Sequence, residues 1–341
     1  MLRRLRVLFA TLALAFLAVA GVRVVYPSKS QAIALKPLPL DSNHPGIRRL
    51  GDLIFLNAWE LRSDNQDFGG ISALTVLADG RFIGIGDAGT LIGFGMGKGH
   101  NMDRPFIAPL PGKPLSGFDY RDWDSEGIAY NPGSGEFWVS FEANHAIRRY
   151  SRSFSRVTGS VEMSGRHKWA PNKGIEALVR LPDGRFVAIA ENLEQGLHEG
   201  YLFSGDPVEK GTVKTWFQFR PPAGYRVTDA VLLSDGRLML LNRSVGYLRG
   251  FSAKLSILEL SQIGRNAIVA GEVVATLGAP LLVDNMEGIA VTPDKTGDII
   301  WLISDNNFNI FQRTLLMKFR LAERQDKKKP EAVAAPGFDS L

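Results

Sequence analysis

A three-residue pattern returns five times along this 341-residue chain: an acidic or hydroxyl residue, a small one, then an apolar one. The copies are Ser72-Ala73-Leu74, Glu126-Gly127-Ile128, Glu176-Ala177-Leu178, Asp229-Ala230-Val231 and Glu287-Gly288-Ile289, at steps of 54, 50, 53 and 58 residues. Each copy opens an apolar run that turns back into a second one. Three of the turns share one tripeptide, Asp79-Gly80-Arg81, Asp183-Gly184-Arg185 and Asp235-Gly236-Arg237. The others pass through Asn131-Pro132-Gly133-Ser134-Gly135 and Thr292-Pro293-Asp294-Lys295-Thr296-Gly297. Asp-Gly between apolar runs is a strong hairpin signal. One hairpin plus outer strands, repeated at this period, predicts an all-β chain folded as a single β-propeller. Five motifs predict five blades, with six as the alternative.

The second strand of each hairpin ends on a polar residue: Asp87, Glu142, Glu191, Asn242 and Asp305. Hairpin strands are antiparallel, so the first and last residues lie at one end. If the first strand of each blade lines the channel, both polar sets converge on one mouth.

The flanks complete the plan. Residues 1–20 read as an export signal, with Arg3, Arg4 and Arg6 before the apolar run from Val7 to Ala20 and a small-residue cleavage site at Ala18-Val19-Ala20. That run is shorter than the roughly 20 residues of a membrane span. A periplasmic or secreted protein is therefore expected, with an uncleaved inner-membrane anchor as the alternative. Residues 21–50 read as a linker, and Leu53 to Leu61 as a strand without a hairpin partner of its own. At the other end Leu315 to Leu321 is a strand followed only by a tail, 323–341, expected to be disordered. The N-terminal strand is expected to complete the last blade, within a domain spanning 51–322, because closure removes open sheet edges. Gly93 to Gly117 reads as a long loop.

Several function classes drop out. There is no cysteine, so neither a disulfide nor a thiolate site nor a lipoprotein anchor can form. The net charge of +5 falls to +2 without the leader arginines, which argues against a nucleic-acid partner. Gly-x-Ser-x-Gly is absent, and so is a phosphate-cradling glycine loop. The five histidines lack zinc-ligand spacing to one another.

What remains is oxygen chemistry. Ser72, Glu126, Glu176, Asp229 and Glu287 are the candidate metal ligands. Crowded carboxylates persist when protonated, paired with a base or neutralised by a cation, and Ca²⁺ accepts about six to eight oxygens with loose geometry. Glu142, Glu191 and Asp305 are candidate catalytic bases beside such an ion, with His145 placed to assist from three residues after Glu142. Asp119, Asp122 and Asp124 read as an exposed acidic turn, with a second cation loop as the alternative. Of Arg148 and Arg149, alternation lets at most one face a substrate anion.

The runs Asp124-Ser125-Glu126-Gly127-Ile128-Ala129, Phe137-Trp138-Val139-Ser140-Phe141-Glu142, Asn172-Lys173-Gly174-Ile175-Glu176-Ala177-Leu178 and Asn285-Met286-Glu287-Gly288-Ile289-Ala290-Val291 resemble the phytase-like ("esterase-like activity of phytase") β-propeller family of bacteria. The resemblance spans about Leu53 to Leu321 and implies a propeller with esterase or phosphatase activity. The Asp-Ala-Asp/Glu-Asp-Pro-Ala type of run that supplies calcium and phosphate ligands in alkaline β-propeller phytases is absent, which sets phytate itself aside. The ring is more distantly similar to that of calcium-activated apyrases, where Ser72, Glu126, Glu176 and Glu287 would match ligands and Asp229 would be a departure. The expected protein is a monomeric Ca²⁺-dependent hydrolase of a small phosphate or carboxylic ester, touching membrane only through its leader. A lactonase or a non-catalytic periplasmic binding propeller is the rival.

Overall fold

The computed structural model describes residues 29–97, 102–113, 119–163, 165, 169–170, 172–246 and 249–322. The predicted signal segment and the tail lie outside them. Within them the chain forms five sheets, each starting at an inner strand and antiparallel except where Ile268–Val269 pairs parallel with the outer strand of one of them. Blade 1 runs outward through Ile71–Val76, Phe82–Gly86, Thr90–Met96 and Met102–Pro109. Blade 2 runs through Ser125–Tyr130, Phe137–Phe141, Ala146–Tyr150 and Val157–Glu162. Blade 3 uses Ile175–Arg180, Phe186–Glu194, Leu197–Phe203 and Lys214–Phe219, and blade 4 uses Arg226–Leu232, Leu238–Gly246, Gly250–Leu258 and Glu272–Gly278. Blade 5 comprises Met286–Asp294, Gly297–Ser304 and Thr314–Leu321, then the N-terminal strand Leu53–Arg62. Closure by that strand is as predicted, and the blades number five.

Two expectations are corrected. Gly93 to Gly117 is not a long loop. Thr90–Met96 and Met102–Pro109 are paired strands there, and Gly93 is needed because a Cβ would strike the Phe106 ring at 1.9 Å. The residues read as a linker also contribute a strand, Ala34–Leu38, which pairs with Leu53–Arg62 on the outer edge of blade 5. Its Lys36 and Pro37 are edge residues that discourage further pairing.

The inner strands are buried on both faces, because each blade is sandwiched between two others. Side chains alternate across a strand. Phe82 thus packs toward blade 5, while Ile83 and Ile85 pack toward blade 2. One apolar core fills each of the five seams between neighbouring blades. The three Asp-Gly-Arg turns are alike. Gly80, Gly184 and Gly236 take φ of 81°, 92° and 87°, and each Asp accepts the backbone N–H of its own Arg at 3.1–3.2 Å. These turns mark the end of the channel opposite the hairpin openings.

That far end is mostly apolar. A cavity of about 610 Å³ lies along the inner strands, walled by every blade, with Leu74, Ile128, Leu178, Ala230 and Ile289 among its residues and Thr75, Arg180 and Thr292 among its polar ones. Among the described residues no helix is long and apolar enough to cross a membrane.

Candidate functional site

The geometry of the mouth follows from one irregularity repeated five times. Every inner strand carries a β-bulge where it meets its hairpin partner. Pairing skips Ser72 in blade 1, Glu126 in blade 2, Glu176 in blade 3, Thr228 in blade 4 and Glu287 in blade 5. A bulge leaves one residue without a ladder partner and re-aims its side chain. The small residue that follows is a packing requirement. A Cβ on Gly127 would approach the Glu176 carbonyl to 2.6 Å, and one on Gly288 would approach Leu74 N to 3.0 Å.

Blade 4 corrects the sequence reading by one residue. Its bulged position is Thr228, and Asp229 occupies the small-residue position. The Asp229 carboxylate is spent within the framework: Oδ1 accepts from Ala230 N at 2.7 Å, and Oδ2 from Ile289 N of blade 5 at 2.9 Å. Burial pushes its pKa well up, against the two amides, which pull it down. Asp229 is thus a brace between blades. Thr228 Oγ1 donates to the Met286 carbonyl at 3.2 Å and is equally committed.

The second ring shifts in the same way. In four blades the residue just past the paired strand donates its N–H back to the opening of the hairpin: Asp87 to Gly70, Glu142 to Asp124, Glu191 to Gly174 and Asp305 to Asn285, at 2.8–2.9 Å. In blade 4, Asn242 pairs inside the strand and its amide binds the Leu240 and Lys254 carbonyls and Ser256 Oγ. The ring position there belongs to Arg243, paired with Arg226. The second ring is therefore Asp87, Glu142, Glu191, Arg243 and Asp305. Gly70 is obligatory in it: its φ is +59°, and a Cβ would lie 2.1 Å from Asp87 Oδ1.

Two triads stand out. Asp124, Glu126 and Glu142 place carboxylate oxygens within 4.8 Å of one another, and so do Glu142, Glu176 and Glu191. Glu142 belongs to both. Four of these acids, Asp124, Glu126, Glu142 and Glu176, have raised proton affinities. Glu142 is pushed up to about 8, by burial and then by the charge of Asp124. Glu126 rises well above the usual range through burial, then through Glu176, Asp124 and Glu142. Glu176 does so through burial, then Glu191 and Glu287. Asp124 is also raised, mainly by burial.

The other side of the mouth is balanced differently. Arg243 Nη1 lies 2.5 Å from Glu287 Oε1 and also donates to Asn285 Oδ1. Asn285 Nδ2 donates to Glu287 Oε1 at 3.0 Å. Burial pushes Glu287 up to about 7, with Arg243 opposing it. Asp305 is raised by burial and then by Asp87, while its Oδ1 accepts Asn307 N at 2.7 Å. Glu191 is held from two sides, by Lys173 and by Arg226 Nη1 at 3.3 Å.

A family model described as "Phytase-like: Esterase-like activity of phytase" matches residues 66–308, from just before the first bulge to just past Asp305. The chain belongs to this family. No curated protein matches it. Solved structures similar to it include the glutaminyl cyclase of Myxococcus xanthus, at 12% identity and TM-score 0.46, covering 79% of this chain and 96% of that one. The Malassezia sympodialis allergen Mala s 1 is similar at 11% identity and TM-score 0.44, with 80% and 91% covered. The Cps50 (Swd1) β-propeller domain of Myceliophteria thermophila is similar at 10% identity and TM-score 0.41, with 86% and 98% covered.

In this Phytase-like chain the structure brings Glu126, Glu142, Glu176 and Glu191 together, with Glu287 and Asp305 across the mouth. Ser72 is buried, its Oγ 3.4 Å from the Gly70 carbonyl. His145 is not part of either triad. Its ring stands edge-on to Trp169 at 5.5 Å, and Nδ1 has no hydrogen-bond partner among the described residues. Neither Arg148 nor Arg149 serves the mouth: Arg148 lies over the Phe141 ring at 4.1 Å, and Arg149 pairs with Asp206 and Glu209.

Sequence reasoning missed three groups. Asp124 belongs with the triad and not with an exposed turn, whereas Asp119 caps a short 3₁₀ helix and pairs with Arg121. Its position two residues before a ring glutamate was the available signal. Arg243 was hidden behind Asn242. His198 is fully buried, its Nδ1 2.8 Å from the Ala190 carbonyl and its Nε2 accepting Val227 N at 3.2 Å. Burial lowers its pKa to about 4, so it joins blades 3 and 4 as a neutral ring.

Proposed function

We propose that this chain is an exported, calcium-dependent hydrolase of a small phosphate or carboxylic ester. The observation that carries this reading is the sharing of Glu142 between two oxygen triads. The donor set is all carboxylate, which suits a hard cation. The raised proton affinities of Asp124, Glu126, Glu142 and Glu176 are the mark of a cluster that lacks a positive partner. Asp124, Glu126, Glu142, Glu176 and Glu191 would hold the ion. Calcium bound there supplies Lewis-acid polarisation of an ester or phosphoryl oxygen and makes a water more acidic.

The remaining work falls to the chain. Glu142 would hold the ion as a carboxylate in common to both triads, and Asp305 stands across the mouth as the carboxyl for proton transfer. Lys173 and Arg226 orient Glu191 through their ion pairs. Arg243 offsets the charge of Glu287 and offers the second ring its one cation. His145 is the remaining acid–base candidate, through its unsatisfied Nδ1.

The test is calorimetric titration with Ca²⁺, followed by a panel of aryl phosphates, nucleotides, aryl esters and a lactone with and without Ca²⁺. Calcium-dependent turnover of one class, abolished in Glu126→Gln and Glu142→Gln, supports the proposal. Calcium binding with silence across the panel favours a binding propeller, and no calcium binding removes the mechanism.

A further inference from the structure

The end of the channel opposite the acid mouth is shaped as a pocket. Its cavity of about 610 Å³ is the size of a small-molecule site. The floor is the ring Leu74, Ile128, Leu178, Ala230 and Ile289, all buried. Side chains alternate across a strand, so the residue two further along shares the same face. Those residues are Val76, Tyr130, Arg180, Leu232 and Val291, and all five line the cavity. Four of them end their inner strands at the last ladder pair before the turn: Val76 with Phe82, Tyr130 with Phe137, Arg180 with Phe186 and Leu232 with Leu238. This outlet ring is apolar in blades 1, 4 and 5 and polar in blades 2 and 3.

Arg180 differs from the arginines of the three Asp-Gly-Arg turns. Arg81, Arg185 and Arg237 each pair with the Asp of their own turn, at 2.5–2.8 Å. In the blade 5 turn Asp294 accepts from Thr296 Oγ1 at 2.9 Å and lies 3.7 Å from Arg320. The acids of these turns are therefore spent. Among the described residues the half-buried Arg180 side chain makes no ion pair and no hydrogen bond. Tyr130, also half-buried, stacks on Phe137 at 4.8 Å, and its hydroxyl has no hydrogen-bond partner among the described residues. The inner strands of blades 2 and 3 are neighbours, since a Cβ on Gly127 would lie 3.2 Å from Leu178 Cβ. Two donors without acceptors thus stand side by side at one level, over an apolar floor.

We infer that this end of the channel is a second binding site, for a small apolar monocarboxylate: the carboxylate accepts from Arg180 and from the Tyr130 hydroxyl, and the hydrocarbon body lies against the floor ring. A guanidinium is a planar fork of donors that matches a carboxylate through two parallel bonds. Its single positive charge has no compensating acid, which selects one negative charge over a neutral or cationic head. Apolar walls lower the local dielectric and strengthen that attraction. A few convergent polar groups in a mostly apolar cavity are the pattern of a small-molecule site. No acid of the two triads lines this cavity, so the inference stands apart from the calcium reading.

The test is calorimetric titration of the full chain, in chelator, with three ligands that share one hydrocarbon body: naphthoate, naphthalenemethanol and naphthylmethylammonium. Naphthoate is expected to bind at one site per chain and more tightly than the other two. Arg180→Met should weaken naphthoate by at least about tenfold, the loss of a hydrogen bond to a charged group, and leave naphthalenemethanol unchanged. Arg180→Lys keeps the charge without the fork and should fall between the two. Tyr130→Phe should weaken naphthoate by less than Arg180→Met does. Arg265→Met removes an exposed cation outside the cavity and should leave naphthoate binding unchanged. Absence of naphthoate binding overturns the inference, as does equal binding of naphthylmethylammonium. Full naphthoate affinity in Arg180→Met overturns it, and so does an equal loss in Arg265→Met, because the attraction would then come from the general surface charge. Chelator is present throughout, so the outcome does not depend on whether the acid mouth binds Ca²⁺.

Discussion

Blades 2 and 3 and blades 4 and 5 face the same mouth, yet they solve the problem of buried charge in opposite ways. Blades 2 and 3 contribute five carboxylates, Asp124, Glu126, Glu142, Glu176 and Glu191, and the cations that pair with this set, Lys173 and Arg226 of blade 4, pair with Glu191. Blades 4 and 5 place Arg243 against Glu287 and Asn285 and turn Asp229 into a brace between strands. In the second half Arg243 neutralises Glu287, while burial raises Asp229 and Asp305. The first half is balanced only by taking up protons or a cation. The lesson is that a propeller repeat sets where polar residues stand, while the partners of each residue decide whether it is framework or site.

The largest expected effect tests the acid half. Glu142→Gln removes the member common to both triads, and Ca²⁺-dependent turnover should fall on the order of 10²- to 10⁴-fold. A fall below tenfold would separate the triads from the reaction. On the second half, Arg243→Met leaves Glu287 buried without its partner. The expected cost is roughly 3 kcal/mol, the low end for breaking a buried pair, because Arg243 is partly exposed. Urea unfolding at pH 8 measures it, and the loss should shrink at pH 5 as Glu287 takes up a proton.

Calcium should act on the acid half as a stabiliser. At about 100 times its Kd a ligand adds about 2.7 kcal/mol, which for a domain of this size raises Tm by roughly 5 °C. The cation-free protein should also show an inverted pH profile. The folded-state pKa of Glu142 is raised from 4.5 to about 8, so the folded chain binds that proton more tightly than the unfolded chain. Its contribution is full below 4.5 and is lost as pH rises through 8. His198 runs the other way, from 6.5 down to about 4, and costs stability as pH falls below 6.5. Melting curves in chelator from pH 5 to 9 should therefore decline on the alkaline side, and calcium should abolish that decline.

The smallest effect is the sharpest on assignment. Asp229→Ala orphans the amides of Ala230 and Ile289 and should cost about 2 kcal/mol. Calcium affinity should stay unchanged, whereas Glu176→Gln should weaken it. A calorimetric loss of calcium binding in Asp229→Ala would return Asp229 to the ligand set.

The fold was legible because its signals are local. The three Asp-Gly-Arg turns each close a hairpin within a few residues, and the apolar runs beside them are long enough to be buried on both faces. The site was legible in part. Glu126, Glu176 and Glu287 are followed by a glycine or alanine that the packing requires, and that pairing marks the bulge. Blade 4 offered Thr228 and Asp229 side by side, and either fits a hydroxyl-or-acid pattern. Asp124 resembled its exposed neighbours Asp119 and Asp122, because composition does not tell which way a turn residue points.

The amino-acid sequence by itself pointed to a closed array of five blades with six as the alternative, the strand that closes it, and a mouth lined by oxygen-bearing side chains without thiolate. These follow from strand periodicity, turn chemistry and residue inventory, which are properties of short segments. Only the tertiary structure decided that Thr228 and Arg243, rather than Asp229 and Asn242, stand in the rings, and that Asp124 joins Glu126 and Glu142. A bulge shifts pairing by one residue, and a shift of one residue moves a side chain to the other face of the sheet. That choice is made by contacts between strands some fifty residues apart.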